Sequence, residues 1–340
     1  MSGSSNARIH VDHDVQDDPD KMAEFLAKID AGQLIEPDDW MPDAYRKGML
    51  KMAEHHANSE IIGALPEGEW ITRAPSLRRK LALTAKVQDE VGHGQMLYRV
   101  SQDLGKSRDQ MLRDLIEGKT KYHNVFNYPA PTWGDIAMIQ WLIDGAAIMN
   151  QKSLADGAFG PYVRTMRRIN MEEAFHFRSG EDMVLTIMTG TAKQKQMGQE
   201  AFDRWWYPSL MFFGPPDKPN AENLPAMRWR MKMVKNTDLR QQFVDRFAPA
   251  AMDLGLVINV VEKDEHGMVT AARPDPELSL NETTGHWSFT EPDWDEFYRV
   301  IRGHGPCNAK RIALRRMSYE QGQWVRRAIL HGETSAPPAA

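Results

Sequence analysis

The sequence predicts a mainly α protein built around a four-helix bundle. Apolar residues recur at helical spacing through four segments of more than twenty residues, most of them bounded by Pro or Gly. Strand-like character is confined to one loop-rich stretch, 256–290. The 21 methionines and 10 tryptophans supply the large, adaptable side chains that fill a bundle core.

Residues 1–20 are polar and acidic and are expected to form a disordered tail, as is the small, Pro-rich "GETSAPPAA" at 332–340. The first long helix is expected over 42–65, opening on Pro42 and closing at Pro66. The loop "PEGEWITRAP" leads to the second, from about Ser76 to Leu104, stopped by Gly105. A short helix at 107–117 and the linker "FNYPAPTW" precede the third, from about Trp133 to Ala155. The fourth runs from about Tyr162 to Met188, and a fifth covers 192–212. After the break "FFGPPDKPNAENLP", residues 225–253 read as helix, 256–290 as loop with a short strand pair, and 292–302 and 308–330 as helices. The bundle is thus expected over 21–214, with a C-terminal helical and loop-rich extension over 215–331 packed on it.

Composition narrows the function. A formal charge of −5 gives no electrostatic reason to expect nucleic acid or an anionic membrane. The chain has no run of eighteen apolar residues and no signal-peptide core, so a cytoplasmic location is expected. Cys307 is the single cysteine, which excludes intrachain disulfides and thiolate-held iron–sulfur clusters. Any metal must be held by nitrogen and oxygen.

Such donors are present in a recurring arrangement. In "AKVQDEVGHGQML", Glu90 and His93 stand three apart and share a helix face. "NMEEAFHFR" repeats the pair as Glu173 and His176. One Glu-x-x-His is ordinarily a partly exposed polar pair. Two of them, each inside a long apolar-patterned helix, require partners, because buried carboxylates and imidazoles are costly unless paired or metal-bound. Glu60 lies 30 residues before Glu90, and Asp144 lies 29 before Glu173, both among apolar neighbours. Antiparallel helices of twenty-odd residues bring positions about thirty apart to one level. Each helix pair would deliver two carboxylates and one histidine to the centre, the di-metal carboxylate pattern of ferritin-like bundles. The donor set suits two iron ions, with manganese an alternative.

Gly92, Gly94 and Gly145 flank these donors, permitting close backbone approach, a local helix distortion or simply tight packing. Lys86, one turn before Glu90, has two placements open to it. It can pair with a ligand carboxylate and steady the metal-free site, or lay its stem along the helix with its amine in solvent.

The stretches "DDWMPDAYRKGML", "SEIIGALPEGEWITRAPSLRRK", "FNYPAPTWGDIAMIQWLIDGAAIMNQ" and "WWYPSLMFFGPPD", with the two motif segments, resemble the catalytic subunits of bacterial phenylacetyl-CoA epoxidases over about 34–330. The resemblance implies that Glu60, Glu90, His93, Asp144, Glu173 and His176 are both metal ligands and the catalytic centre. The wider superfamily usually has Glu at the third-helix position; Asp144, shorter by one methylene, fits the narrower family. The implied reaction takes O2 and two electrons and converts phenylacetyl-CoA to its ring-1,2-epoxide and water, within phenylacetate catabolism. The implied partners are a related ferritin-like structural subunit, small accessory subunits, and a reductase carrying flavin and a [2Fe–2S] cluster and using NADPH. A hetero-oligomer is therefore expected. A separate electron source also follows from the residues, since the chain has no placeable Gly-rich dinucleotide fingerprint and too few cysteines for a relay.

A CoA thioester needs cations for its phosphates. Arg73, Arg78, Arg79 and Lys80 form one cationic cluster, and Lys310, Arg311, Arg315 and Arg316 another. Both read more simply as solvated faces or subunit contacts, so the substrate-binding residues stay unassigned. Cys307 reads as structural, and His55 and His56, one turn before Glu60, as surface or packing residues. A ribonucleotide reductase small subunit would need a tyrosine where Leu97 stands. A ferritin-type iron store is usually far shorter, and a non-catalytic scaffold of the same fold would lack the full donor set.

Overall fold

The computed structural model describes residues 18–258, 260–263, 269–273 and 278–332. It is a ferritin-like helical protein in which α1 (Pro19–Asp30) precedes the four core helices. These are α2 (Asp43–Gly68), α3 (Leu77–Asp103), then, past the short α4 (Arg108–Ile116), a third helix in three parts, and α7 (Gly160–Met188). The third helix comprises α5 (Trp133–Met138), a π-helical segment (Ile139–Ile143) and α6 (Asp144–Leu154). Next come α8 (Ala192–Met211), α9 (Pro225–Arg228) and α10 (Asn236–Asp253). Two antiparallel strand pairs follow, β1 (Val260–Lys263) with β2 (Val269–Arg273) and β3 (Leu278–Leu280) with β4 (Trp287–Phe289). The chain ends in α11 (Trp294–Arg299), a π segment (Val300–His304) and α12 (Asn308–His331).

Local chemistry accounts for most boundaries. Ser76 caps α3 by accepting from the Arg79 amide, and Thr132 and Asp135 form a reciprocal capping box on α5. Thr191 and Gln194 do the same for α8. Gly105, just after α3, has φ +101°, a conformation that costs glycine nothing.

Several expectations need correction. Helix α1 begins at Pro19, capped by Asp18, inside the stretch expected to be a tail; residues 1–17 and 333–340 lie outside the described residues. Pro42 is the cap before α2, not its first residue, and α2 runs through Pro66 to Gly68. A proline near a helix end removes only one hydrogen bond, which the packing of this turn outweighs. The single helix expected over 225–253 is broken at 229–235, where Arg230 takes a left-handed φ of +53°. The strand pair is in fact two pairs.

Two large apolar clusters dominate the core, one toward each end of the bundle, beside a small third one at Ile62, Leu115 and Tyr122. Helices α1, α2, α3 and α7 contribute Phe25, Tyr45, Leu97, Tyr98 and Met166 to one. The other joins the π segment, α8 and α10 through Trp141, Trp205, Trp206, Phe243 and Phe247. Along α7, Met166 and Ile169 belong to the first and Met183 and Val184 to the second, leaving Glu173 and His176 between them. Polar chemistry is thus sealed between two dry layers. Among the described residues no helix is long and apolar enough to cross a membrane.

The π segment is held by a close backbone approach. A Cβ on Gly180 of α7 would lie 2.4 Å from the carbonyl carbon of Gln140 and 2.5 Å from the amide nitrogen of Trp141. Backbone cannot yield as a flexible side chain can. Gly180→Ala is expected to lower stability by about 3 kcal/mol or more and to weaken metal loading, since Asp144 directly follows the segment. Denaturant unfolding and metal titration check this; unchanged values for both would show that α7 can move aside.

Candidate metal centre

The structure brings Glu60, Glu90, His93, Asp144, Glu173 and His176 together, all buried. Their donor atoms fall into two groups, each with all atoms within 4.8 Å of one another. One comprises Glu60, Glu90, His93 and Glu173; the other comprises Asp144, Glu173 and His176. Glu173 belongs to both. His93 Nδ1 lies 3.4 Å from Glu173 Oε1 and 3.7 Å from Glu60 Oε2, and His176 Nδ1 lies 3.2 Å from Glu173 Oε2 and 3.4 Å from Glu90 Oε1.

Each imidazole is braced from behind. His93 Nε2 is 2.8 Å from Glu172, and His176 Nε2 is 3.3 Å from Asp89. Each bracing acid immediately precedes a ligand-type glutamate and reaches the histidine of the opposite helix. The outer nitrogen is thereby committed, and Nδ1 faces the cluster, as second partners ordinarily arrange for metal-bound histidine. The doubled acids in "QDEVGH" and "MEEAFH" were the available signal, but an acid beside an acid reads as a solvated face.

Lys86 is fully inside. Its Nζ donates to Glu67 Oε2 at 2.6 Å and to Glu90 Oε1 at 2.5 Å. It also stands 3.2 Å from Asp144 Oδ2, although off hydrogen-bonding geometry. Of the two placements open to it in sequence, the structure has the paired one. Glu67 is only 1% exposed and takes a second bond from Gln140 Nε2 at 2.9 Å. Neither Glu67 nor Gln140 stands out in the sequence as part of the site. Glu67 falls just beyond Pro66, where the sequence predicts a loop.

His56 is likewise no surface residue. Its Nε2 is 2.8 Å from Glu60 Oε1 and its Nδ1 is 2.8 Å from the Tyr162 hydroxyl. His55 packs beside His123, whose ring stacks on Phe212. Burial, with the charges of His123, His56 and Lys51, holds His55 down to about 3. The flanking glycines resolve unequally. A Cβ on Gly94 would meet Ile61 at 2.6 Å, and one on Gly145 would meet Phe247 at 2.3 Å, so both serve tight packing. Nothing in the structure explains Gly92. The distortion near the metal-ligand candidates is the π segment before Asp144.

Proton affinities follow from this crowding. Burial, reinforced by the charges of neighbouring carboxylates, pushes Glu90 and Asp144 well above the carboxylate range despite Lys86. Burial would also lift Glu60, but the neighbouring imidazoles of His56 and His93 hold it well below. Burial opposes charge on His93, yet Glu173 and Glu60 raise it to about 12; His176 is also raised, chiefly by Glu173.

The donor set fits two divalent cations. His93 Nδ1 and Asp144 Oδ2 are buried with no hydrogen-bond partner among the described residues. Such atoms are rare without a ligand. Once their protons are displaced, the four carboxylates carry four negative charges, which two divalent ions would balance, while Lys86 pairs with Glu67.

The two cationic clusters lie elsewhere. Arg73 stacks over Trp70, and Arg79 pairs with Asp182 at 2.8 Å. Lys310 and Arg311 bind Glu69 at 2.9 and 3.1 Å, fastening α12 to the end of α2. Cys307 is half-buried, its amide bonded to the Asn127 carbonyl.

Comparison with known proteins adds an independent line. Residues 22–324 match the family described as phenylacetic acid catabolic protein. The chain is 45% identical over 306 residues to one subunit of the 1,2-phenylacetyl-CoA epoxidase from Escherichia coli (strain K12), covering 90% of this chain and 94% of that one. It is 24% identical over 183 residues to benzoyl-CoA oxygenase component B of Aromatoleum evansii, covering 51% and 39%.

Proposed function

The chain belongs to the phenylacetic acid catabolic protein family, and from that membership together with its buried donor cluster we propose that it is the oxygenase subunit of a phenylacetyl-CoA epoxidase. The observation that carries the reading is the convergence of four carboxylates and two imidazoles in the dry middle of the bundle. A scaffold subunit would have no use for so many costly buried charges.

Two iron ions would be held by Glu60, Glu90 and His93 on one side and Asp144 and His176 on the other, with Glu173 shared. When bound, they supply the redox chemistry that places one oxygen atom of O2 on the ring and releases the other as water, using two electrons from outside the chain. The chain's own residues perform the remainder. A cavity of about 230 Å³ adjoins the donors, walled by Phe126, Ile139, Ile143, Leu154, Phe212 and Phe213. An apolar cavity of about 150 Å³ admits benzene, so an aryl ring fits here. These walls keep water from the reacting atoms and hold the ring against them. His56, anchored by Tyr162, fixes the orientation of Glu60.

Electrons must come from another protein, and a complex fits the surface as well. Leu77 and Leu81 on α3 and Met171, Phe175 and Leu185 on α7 are exposed apolar residues on two packed helices, a combination that favours a covering partner. We assign to this complex a flavin and [2Fe–2S] reductase using NADPH, together with the related helical subunit; it would work in the cytoplasm.

The full complex, supplied with NADPH, O2 and phenylacetyl-CoA, is expected to yield an acyl-CoA heavier by one oxygen atom. Mass analysis of the CoA products, with iron counted at about two per chain, checks this. Fewer than one iron per chain after anaerobic loading, with no oxygenated product, would leave the scaffold role instead.

A further inference from the structure

Among the described residues, Gly63 is the only glycine that lines the cavity at the donors. It stands one turn beyond Glu60 in the interior of α2, where glycine weakens a helix. Its neighbour supplies the reason. A Cβ at this position would lie 2.8 Å from Cε1 and from Cζ of Phe126, and 3.2 Å from Cδ1. The phenyl edge therefore rests on bare helix backbone, closer than any side chain at Gly63 would allow.

Phe126 has no slack behind it. It packs against Ile62, Leu115 and Tyr122, together with Leu65 and Ile312. Its carbonyl accepts from Arg311 Nε at 3.2 Å, which fixes the backbone as well. An interior packed in this way does not yield to a displaced ring. The open side of the ring is the cavity.

A second wall is equally fixed. Ile139 and Ile143 line the same cavity from the π segment, whose backbone Gly180 meets at Gln140 and Trp141. Two walls of the slot are thus each set by a contact that only glycine permits, and neither can retreat. The cavity measures about 230 Å³, against about 150 Å³ for one that admits benzene. One ring with its methylene and thioester fits. A second fused ring does not.

We propose that Gly63 and Phe126 determine the size of acyl group that the chain accepts, admitting a single aryl ring and excluding fused bicyclic ones. A methyl group at position 63 drives the Phe126 ring into the slot, and a shorter residue at position 126 opens it. The assignment rests on the acyl-CoA reading above and adds to it which rings are taken.

Equilibrium binding to the full complex, kept anaerobic, tests this with acetyl-CoA, phenylacetyl-CoA and 2-naphthylacetyl-CoA as probes. The native complex is expected to bind the phenyl thioester at least about tenfold more tightly than the naphthyl one. Phe126→Ala should erase or reverse that preference. Gly63→Ala should weaken phenylacetyl-CoA about tenfold while acetyl-CoA stays within about twofold of native. Gly63→Ala with Phe126→Leu, which removes the two ring atoms nearest the new Cβ, should restore phenylacetyl-CoA to within about threefold of native.

The assignment is overturned if the native complex shows no preference between the two rings, or if Phe126→Ala keeps the native preference. It is also overturned if Gly63→Ala binds phenylacetyl-CoA as native does or loses acetyl-CoA equally, or if the double variant is as weak as Gly63→Ala. Product analysis under O2 separates the two claims. Ring preferences that shift as expected, without any oxygenated product, would sink the oxygenase reading alone. Oxygenation by a complex whose preferences ignore both residues would sink the size limit alone.

Discussion

Glu173→Ala should reduce bound iron from about two per chain to well below one and lower oxygenation by at least about a hundredfold, since even residues behind the ligands are worth ten- to a hundredfold. Glu173 is the residue common to both donor groups. Its oxygens stand 3.4 Å from His93 and 3.2 Å from His176, so its loss opens both positions at once. Asp144→Ala touches one group and is expected to leave about one ion. Metal analysis of the two variants side by side is decisive: equal loss in both would mean that Glu173 bridges nothing. Acid should oppose loading in the native chain. The metal-free cluster holds protons on His93, whose affinity reaches about 12, and on His176, Glu90 and Asp144, all raised. Ions must displace those protons, so loading releases them and weakens as pH falls. Calorimetry in buffers of different ionisation heat should register at least one proton released per ion.

Lys86→Met is expected to destabilise the metal-free chain by about 3–5 kcal/mol, the usual consequence of removing one partner from a buried ionic group. Lys86 faces Glu67, Glu90 and Asp144, each nearly devoid of solvent. Methionine matches its stem and supplies no charge, leaving three carboxyl groups to each other. Divalent cations should rescue the variant more than the native chain, because they restore the missing positive charge. Thermal melts with and without ferrous or manganous ion measure this. A metal-free variant melting with the native chain would show that the carboxyl groups simply take up protons.

Much of this site was legible because its chemistry is periodic. Two Glu-x-x-His pairs, with Glu60 and Asp144 about one helix hairpin upstream, identify six side chains that the fold does bring together. What escaped the sequence are residues whose role comes from the opposite helix. Asp89 and Glu172 brace each other's histidines across α3 and α7, a relation no local pattern records. Glu67 was lost to the ordinary weight given to proline as a terminator, although α2 continues past Pro66. His56 looked like packing because its bond partner Tyr162 is 106 residues away. The conspicuous basic runs at 73–80 and 310–316 are partly used in fastening helices.

The π segment at Ile139–Ile143 has a consequence for how such a chain can vary. One extra residue within a helix turns everything beyond it by about 100°. Asp144 therefore depends on a residue count upstream as much as on its own identity. Related chains that gain or drop a single amino acid between Trp133 and Ile143 would rotate this oxygen donor off the centre while keeping every motif letter intact. For this helix, length matters as much as chemistry.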